Sequence, residues 1–266
     1  MIQIELTGCT GAGKSTLARG IVQACREQGI DVVMGDEVVL GLARLNWLRG
    51  SLARTLCLDL ICLPAWLATW GRHRAFHAFT IRTIWRLPIA WTVRLNLLRN
   101  VLKKMGTHEI VRRRSPRRQV ALVDEGTLHA AHNLFVHVAV PPSPDDIATF
   151  ARLAPLPDAA VYVKQQESVL IERTLARGHK RIEDRSSASV QLFVERAIET
   201  FEMLWQQAAI SERLLVVDGR QEIVVPLIRA CANGSLPAAA SDPAPPTHRD
   251  APATGPLGQA ITGTEQ

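Results

Sequence analysis

The chain has 266 residues, 47% hydrophobic and 21% charged, which fits one medium domain, or one domain with appendages, able to bury a proper core. A formal charge of +6 and a pI of about 9.4 suit a protein that handles polyphosphates, and equally suit contact with nucleic acid or an anionic membrane surface. The five cysteines (Cys9, Cys25, Cys57, Cys62 and Cys231) are scattered, odd in number and form no C-x-x-C pair, which excludes a disulfide scaffold or a zinc site and reads as reduced thiols in a cytosol.

Ile2-Gln3-Ile4-Glu5-Leu6 alternates as a strand entering a sheet does. With a strand so early, no signal peptide is expected. Next comes Gly8-Cys9-Thr10-Gly11-Ala12-Gly13-Lys14-Ser15, which fits G-x-x-x-x-G-K-[ST] at each fixed position. Thr16 to Cys25 then carries apolar residues at helical spacing. Strand, loop and helix are the context a phosphate-binding P-loop requires. The glycines let successive N–H groups turn toward phosphate oxygens, and the helix start adds its positive dipole end. Gly8, Thr10, Gly11, Ala12, Gly13, Lys14, Ser15 and Thr16 are therefore the expected nucleotide-binding residues. Lys14 is expected to reach the β- and γ-phosphates, and the Ser15 hydroxyl to ligate Mg²⁺.

Gln28-Gly29 gives a turn, and Asp31 to Gly35 reads as the second strand. Asp36 and Glu37 follow its carboxyl end, where open α/β sheets bind ligands. Asp36 suits the cap of a helix starting near Val38, and Glu37 is a candidate catalytic acid. The stretch 39–105 holds five of the six tryptophans (Trp47, Trp66, Trp70, Trp85 and Trp91) and many arginines. It reads as helices over 38–49, 51–70, 73–87 and 89–105, with breaks at Pro64 and Pro88. Arg82 and Arg86 share a helix face, as do His73 and His77. Two readings stand for this insertion. Its apolar faces pack on the sheet with the arginines solvated, or it binds a large apolar or membrane-borne substrate. Thr55 to Trp70 is apolar except for Asp59 and is broken by Pro64, so it is read as too short to span a bilayer. Lying on a membrane surface is a third option for these helices. Lys103-Lys104 and Arg112 to Arg118 form a basic run, expected as a solvated face or loop.

Val120-Ala121-Leu122-Val123-Asp124-Glu125-Gly126 is an apolar strand ending in an acid, the Walker B pattern, which makes Asp124 a second expected Mg²⁺ ligand. Thr127 to His137 reads as a helix with His129, His132 and His137 on its faces. Ser143 caps another helix, with Pro144 in its first turn and Asp146 in a capping box. Ala159 to Lys164 is a strand, and Ser168 is expected to cap the helix after it. Cations then gather around Gly178: Arg173, Arg177, His179, Lys180 and Arg181, with Glu183, Asp184 and Arg185 beyond. Such a cluster suits a mobile lid that stabilises charge on a moving phosphoryl group. A long helix over 188–209, a strand ending Val217-Asp218-Gly219 and a helix from Gln221 to Cys231 complete the domain, 1–232. Residues 233–266 are rich in Ala and Pro and are expected to form a disordered tail.

This order of elements resembles the thymidylate kinase and deoxynucleoside kinase group of P-loop kinases, over roughly 1–232. The P-loop, the Asp124-Glu125-Gly126 strand end with Leu128 to Ala131 after it, and the run Arg173 to Arg185 carry the resemblance. The resemblance implies an α/β fold, a five-stranded parallel sheet flanked by helices with a helical insertion. It implies ATP with Mg²⁺ as phosphoryl donor, Glu37 as base on an acceptor hydroxyl, and Arg173, Arg177 and Arg181 as lid arginines. It places the turn after Val217-Asp218-Gly219 against the adenine. The catalytic set expected is thus Lys14, Glu37, Asp124, Arg173, Arg177 and Arg181. Glu125 stands where the group usually has Arg, and 39–105 is longer and more apolar than a compact nucleoside pocket needs. The acceptor is therefore left open among a nucleoside, a nucleotide, and a lipid-linked or sugar hydroxyl. The alternative is an ATP-binding or hydrolysing switch acting through a partner or a membrane surface. A guanine-reading N-K-x-D is missing, because no Asn is followed by Lys and then Asp. The expected setting is cytoplasmic, with contact to the inner face of a membrane and a homodimer as open options and no nucleic-acid partner.

Overall fold

The computed structural model describes residues 2–48, 50–114, 119–178, 181, 182, 184, 186–219 and 221–233. Its centre is a five-stranded, all-parallel sheet in the order β2-β3-β1-β4-β5. The strands are β1 (Ile2–Thr7), β2 (Val32–Met34), β3 (Val120–Asp124), β4 (Ala159–Val163) and β5 (Leu214–Val217). Helices cover the sheet, so the central strands are buried on both faces, as parallel strands require. Ile4, Leu6, Val120, Leu122 and Val161 form its dry centre. Even the polar positions of β1, Gln3 and Glu5, are buried.

Sheet order reverses at β1, which pairs with β3 on one side and β4 on the other. Ligands bind at such a switch point, beyond the carboxyl ends of the strands. The register sets Leu6 opposite Asp124, so the end of β3 lies level with the start of the glycine-rich loop. Helix α1 (Lys14–Glu27) opens straight from that loop.

The insertion consists of α2 (Gly35–Leu42), α3 (Ser51–Thr69), α4 (Arg74–Arg86) and α5 (Trp91–Arg114). Several boundaries differ from the sequence reading. Helix α2 starts at Gly35, so Asp36 and Glu37 both lie in its first turn, and Asp36 makes no capping bond. Helix α5 runs on to Arg114, past the expected end at 105, and Lys104 to Val111 are buried on every side of it. Helix α3 is long and apolar enough to cross a membrane by length and composition, which the reading of Thr55 to Trp70 as too short had not allowed. Helices α3 and α5 touch at Gly106, where a Cβ would lie within 2.8 Å of the Cys62 Cα.

Beyond β3 the expected helix 127–137 shrinks to α6 (Ala130–Phe135), and its three histidines are buried rather than presented on a surface. Helix α7 (Pro144–Leu153) is capped as expected, the Ser143 hydroxyl accepting from the Asp146 N–H at 3.3 Å. Helix α8 (Glu167–Arg177) begins one residue before Ser168, which is therefore inside it and not its cap. The long helix divides into α9 (Ser187–Trp205) and α10 (Ala208–Ser211), and α11 (Gln221–Ala232) closes the described chain. The expected tail beyond Asn233, part of the basic run (115–118) and His179, Lys180, Glu183 and Arg185 of the expected lid lie outside the described residues.

Candidate active site

The loop 8–13 is built on three glycines with positive φ: Gly8 (147°), Gly11 (84°) and Gly13 (90°). Gly13 takes the left-handed conformation at the N-cap of α1, which side chains with a Cβ avoid. At Gly8 a Cβ would meet the Val163 carbonyl oxygen at 2.8 Å, so the loop can press against β4 only without one. The loop borders a cavity of about 730 Å³ lined by Thr10 to Leu17, Glu125, Arg173, Arg177, Asp218 and Gly219, among others. The sequence-predicted turn at Asp218-Gly219 thus shares this cavity with the loop. Cys9 is buried under the loop, and burial pushes its thiol up to about 11, which disfavours the reactive thiolate.

Lys14 curls back over the loop. Its Nζ donates to the Gly8 and Cys9 carbonyls, both at 3.0 Å, and pairs with Glu125 Oε1 at 3.2 Å. The Ser15 hydroxyl donates to Asp124 Oδ2 at 2.7 Å. Asp124 Oδ1 is buried with no hydrogen-bond partner. Burial pushes the Asp124 carboxyl above its usual range; the Ser15 bond opposes that and Glu125 reinforces it. An orphaned carboxylate oxygen beside a hydroxyl at the end of a strand is the donor set a hard divalent cation takes, so Ser15 and Asp124 fit Mg²⁺.

A second cavity of about 340 Å³ adjoins the first. Thr10, Glu125 and Arg177 line both. The second is walled by α5 (Val93, Asn96, Leu97, Asn100), by His129, His132 and Asn133, and by Arg181. Glu125 is the hinge between the two. It holds a left-handed backbone, φ 63°, which swings its side chain off the line of β3. Its carboxylate lies near Lys14 (3.2 Å), His129 Nε2 (3.5 Å) and Lys104 Nζ (3.8 Å). Glu125 is exposed to the two cavities; desolvation in the site would raise its carboxyl, but the ammonium groups of Lys14 and Lys104 hold it well below the usual carboxylate range, while burial lowers the His129 pKa well below its ordinary value and leaves that ring uncharged.

Lys104 is a correction to the basic-run reading. It is buried, donates to the Glu125 carbonyl, and its ammonium pKa is lowered by burial against the pull of Glu125 and Glu5. Glu5 lies beneath the same turn. Its carboxyl accepts the Leu128 and His129 N–H groups at 3.1 and 2.8 Å, and burial pushes it up to about 7.

The three expected lid arginines separate. Arg173 Nη1 donates to the Gly11 carbonyl at 2.9 Å and lies at the phosphate loop. Arg177 lines both cavities. Arg181 lines the second cavity and docks on the α6 region, where its Nη1 donates to the His132 and Val136 carbonyls at 3.1 and 3.2 Å. Its guanidinium also sits 5.2 Å from the Phe193 ring centroid. Glu37 is half-buried in the first turn of α2 and lines neither cavity.

Sequence reasoning missed Glu125, Lys104, His129 and Glu5. The one available signal was the doubled acid Asp124-Glu125 at the strand end.

No family model matches the chain, and no curated protein matches it. Among solved structures it is similar to a deoxyadenosine kinase from M. mycoides with the products dCMP and a flexible dCDP bound, at 12% identity and a TM-score of 0.42, over 88% of this chain and 100% of that one. A second structure of that enzyme, with bound dATP, is similar at 11% identity and a TM-score of 0.41, over 87% and 100%. Any functional reading stands on the site geometry above.

Proposed function

We propose that this protein is an ATP-dependent phosphotransferase that moves the γ-phosphoryl group of ATP to a hydroxyl acceptor held in the second cavity. The observation that supports it most is that two cavities, one a phosphate cradle and one walled by polar and aromatic groups, meet at a single carboxylate, Glu125.

The triphosphate fits the loop N–H groups at the N-terminus of α1, with the base toward Asp218 and Gly219. Ser15 and Asp124 would hold Mg²⁺, which would offset the negative charge of the phosphates when bound. Lys14 has two carbonyls and a carboxylate as partners in their place. When Lys14 turns to phosphate oxygens, the Glu125 carboxylate loses its nearest cation and becomes available to an acceptor hydroxyl. Glu125 then orients that hydroxyl by accepting its hydrogen bond and takes up its proton as the new O–P bond forms and the bond from the γ-phosphorus to the β,γ-bridging oxygen breaks, releasing ADP. Arg173 and Arg177 face the transferring group and offset its charge. The acceptor stays within the class of nucleoside, nucleotide, sugar or lipid-linked hydroxyls.

Titration calorimetry with a non-hydrolysable ATP analogue and Mg²⁺ tests the donor half. Binding should be Mg²⁺-dependent and at least about tenfold weaker in Lys14→Ala. Equal binding by both proteins would remove the phosphate cradle from the account.

A further inference from the structure

We infer that the outer face of α3 seats this protein on the surface of an anionic phospholipid bilayer. Among the side chains described on α3, the exposed ones are all apolar, and the polar Arg54, Thr55 and Asp59 are half-buried. Its exposed leucines fall at 52, 56, 60, 63 and 67, spaced by three and four residues, so they form one stripe along the helix. The other exposed positions whose side chains are described are Ala53, Pro64 and Ala68. Leu52 and Leu60 are 81% and 69% exposed. An uninterrupted apolar helix face of this length marks a docking surface.

What covers it follows from charge and from the ends of the helix. Residues 39–105 carry eleven Lys and Arg, of which Lys104 is buried beside Glu125, and one acid, in a chain whose total charge is +6. The one acid, Asp59, is paired with Arg99 at 2.8 Å. Arg44, Arg72, Arg74, Arg82 and Arg86 are exposed. Two such surfaces facing each other as copies of this chain would repel, whereas anionic head groups attract them. Trp47 and Trp70, both exposed, bracket α3, and Trp85 and Trp91 bracket the turn into α5. Apolar stripe, arginines and flanking tryptophans are the composition of a helix lying in the bilayer interface.

The inner face of α3 argues for lying on the membrane and against crossing it. Leu58 and Cys62 are buried, the Cys62 thiol is 3.4 Å from the Thr107 hydroxyl, and Gly106 admits α3 to backbone contact. One face is committed to the protein and one is left for lipid. Helix α5, which walls the second cavity through Val93, Asn96, Leu97 and Asn100, exposes Trp91 and Leu95. The helix that α3 packs against thus also walls the second cavity.

The test is co-sedimentation of the full chain, at low salt, with vesicles of phosphatidylglycerol and phosphatidylcholine in equal parts, and with phosphatidylcholine alone. The wild-type chain should bind the anionic vesicles at least about tenfold better. The exposed double variant Leu60→Glu/Leu67→Glu should fall to the phosphatidylcholine level while binding ATP analogue and Mg²⁺ as the wild type does. That control separates this result from the phosphotransferase reading. No sedimentation with anionic vesicles, or equal sedimentation of the variant, overturns the inference. So does a wild-type dimer that ignores vesicles and is split by the double variant, because the face would then cover a second copy.

Discussion

The Glu5 carboxylate in the central strand accepts the His129 N–H at 2.8 Å, and so ties β1 to the turn that carries Glu125. The turn is also closed sterically: a Cβ at Gly126 would lie 2.6 Å from Glu5 Oε2. A buried acid in the sheet thereby fixes where the carboxylate between the two cavities stands.

That arrangement has a pH signature. Burial raises Glu5 from an ordinary 4.5 to about 7, with the hydrogen bonds from His129 and Leu128 opposing. The folded state holds this proton where the unfolded chain has lost it, so the contribution of Glu5 to stability falls as pH rises from 4.5 to about 7 and is level above that. The difference in unfolding free energy between Glu5→Gln and wild type should shift in favour of the variant across that window, by roughly 3 kcal/mol. Urea unfolding at a series of pH values measures it. A difference independent of pH would mean that Glu5 is ionised in the fold.

Two acids compete for the role next to the acceptor, and the geometry separates them. Glu125→Gln should lower turnover by about 10²–10³-fold with ATP affinity within about threefold of wild type. Glu37→Gln, on a residue that lines neither cavity, should change turnover by less than about threefold. Steady-state rates and calorimetric affinities on both variants decide it, and a reversed ranking would move the acid to α2.

The arginines of the expected lid should likewise part company. Arg181 gives two backbone carbonyls their hydrogen bonds, so Arg181→Ala should cost about 2–3 kcal/mol of stability. Arg173 is exposed and bonds the phosphate loop, so Arg173→Ala should leave stability within about 0.5 kcal/mol and lower turnover. Chemical denaturation beside turnover measurements checks both, and equal stability losses would contradict the assignment.

Gly106→Ala probes the seam between α3 and α5. The added methyl would press into the Cys62 backbone, so a loss of about 1–3 kcal/mol is expected in thermal or urea unfolding. A neutral substitution would mean that the two helices separate at no cost.

The parts of this molecule written as local patterns were legible in the sequence. The glycine spacing before Lys14 and the apolar run ending at Asp124 are each patterns complete within a few residues, and both strands stand where expected. The capping of α7 by Ser143 was legible for the same reason. What escaped depends on chain crossings. Lys104 looked like one of two surface lysines, but α5 brings it to the Glu125 carbonyl twenty-one residues on. Glu5 looked like one polar residue of an alternating strand; its partners, Leu128 and His129, lie more than 120 residues away. The buried His129, His132 and His137 were misread because a helix face says nothing about which layer will cover it.

The most direct measurement of the central claim is phosphoryl transfer itself. Purified protein, ATP and Mg²⁺ would be mixed with nucleosides, nucleotides, sugars and polyprenols, with phosphatidylglycerol vesicles added in parallel, and the products read by mass. The account predicts an acceptor heavier by one phosphoryl group, formed by the wild type and lost in Lys14→Ala and Glu125→Gln. ATP hydrolysis to water alone, indifferent to every acceptor and to Glu125→Gln, would contradict it and favour a nucleotide-driven switch.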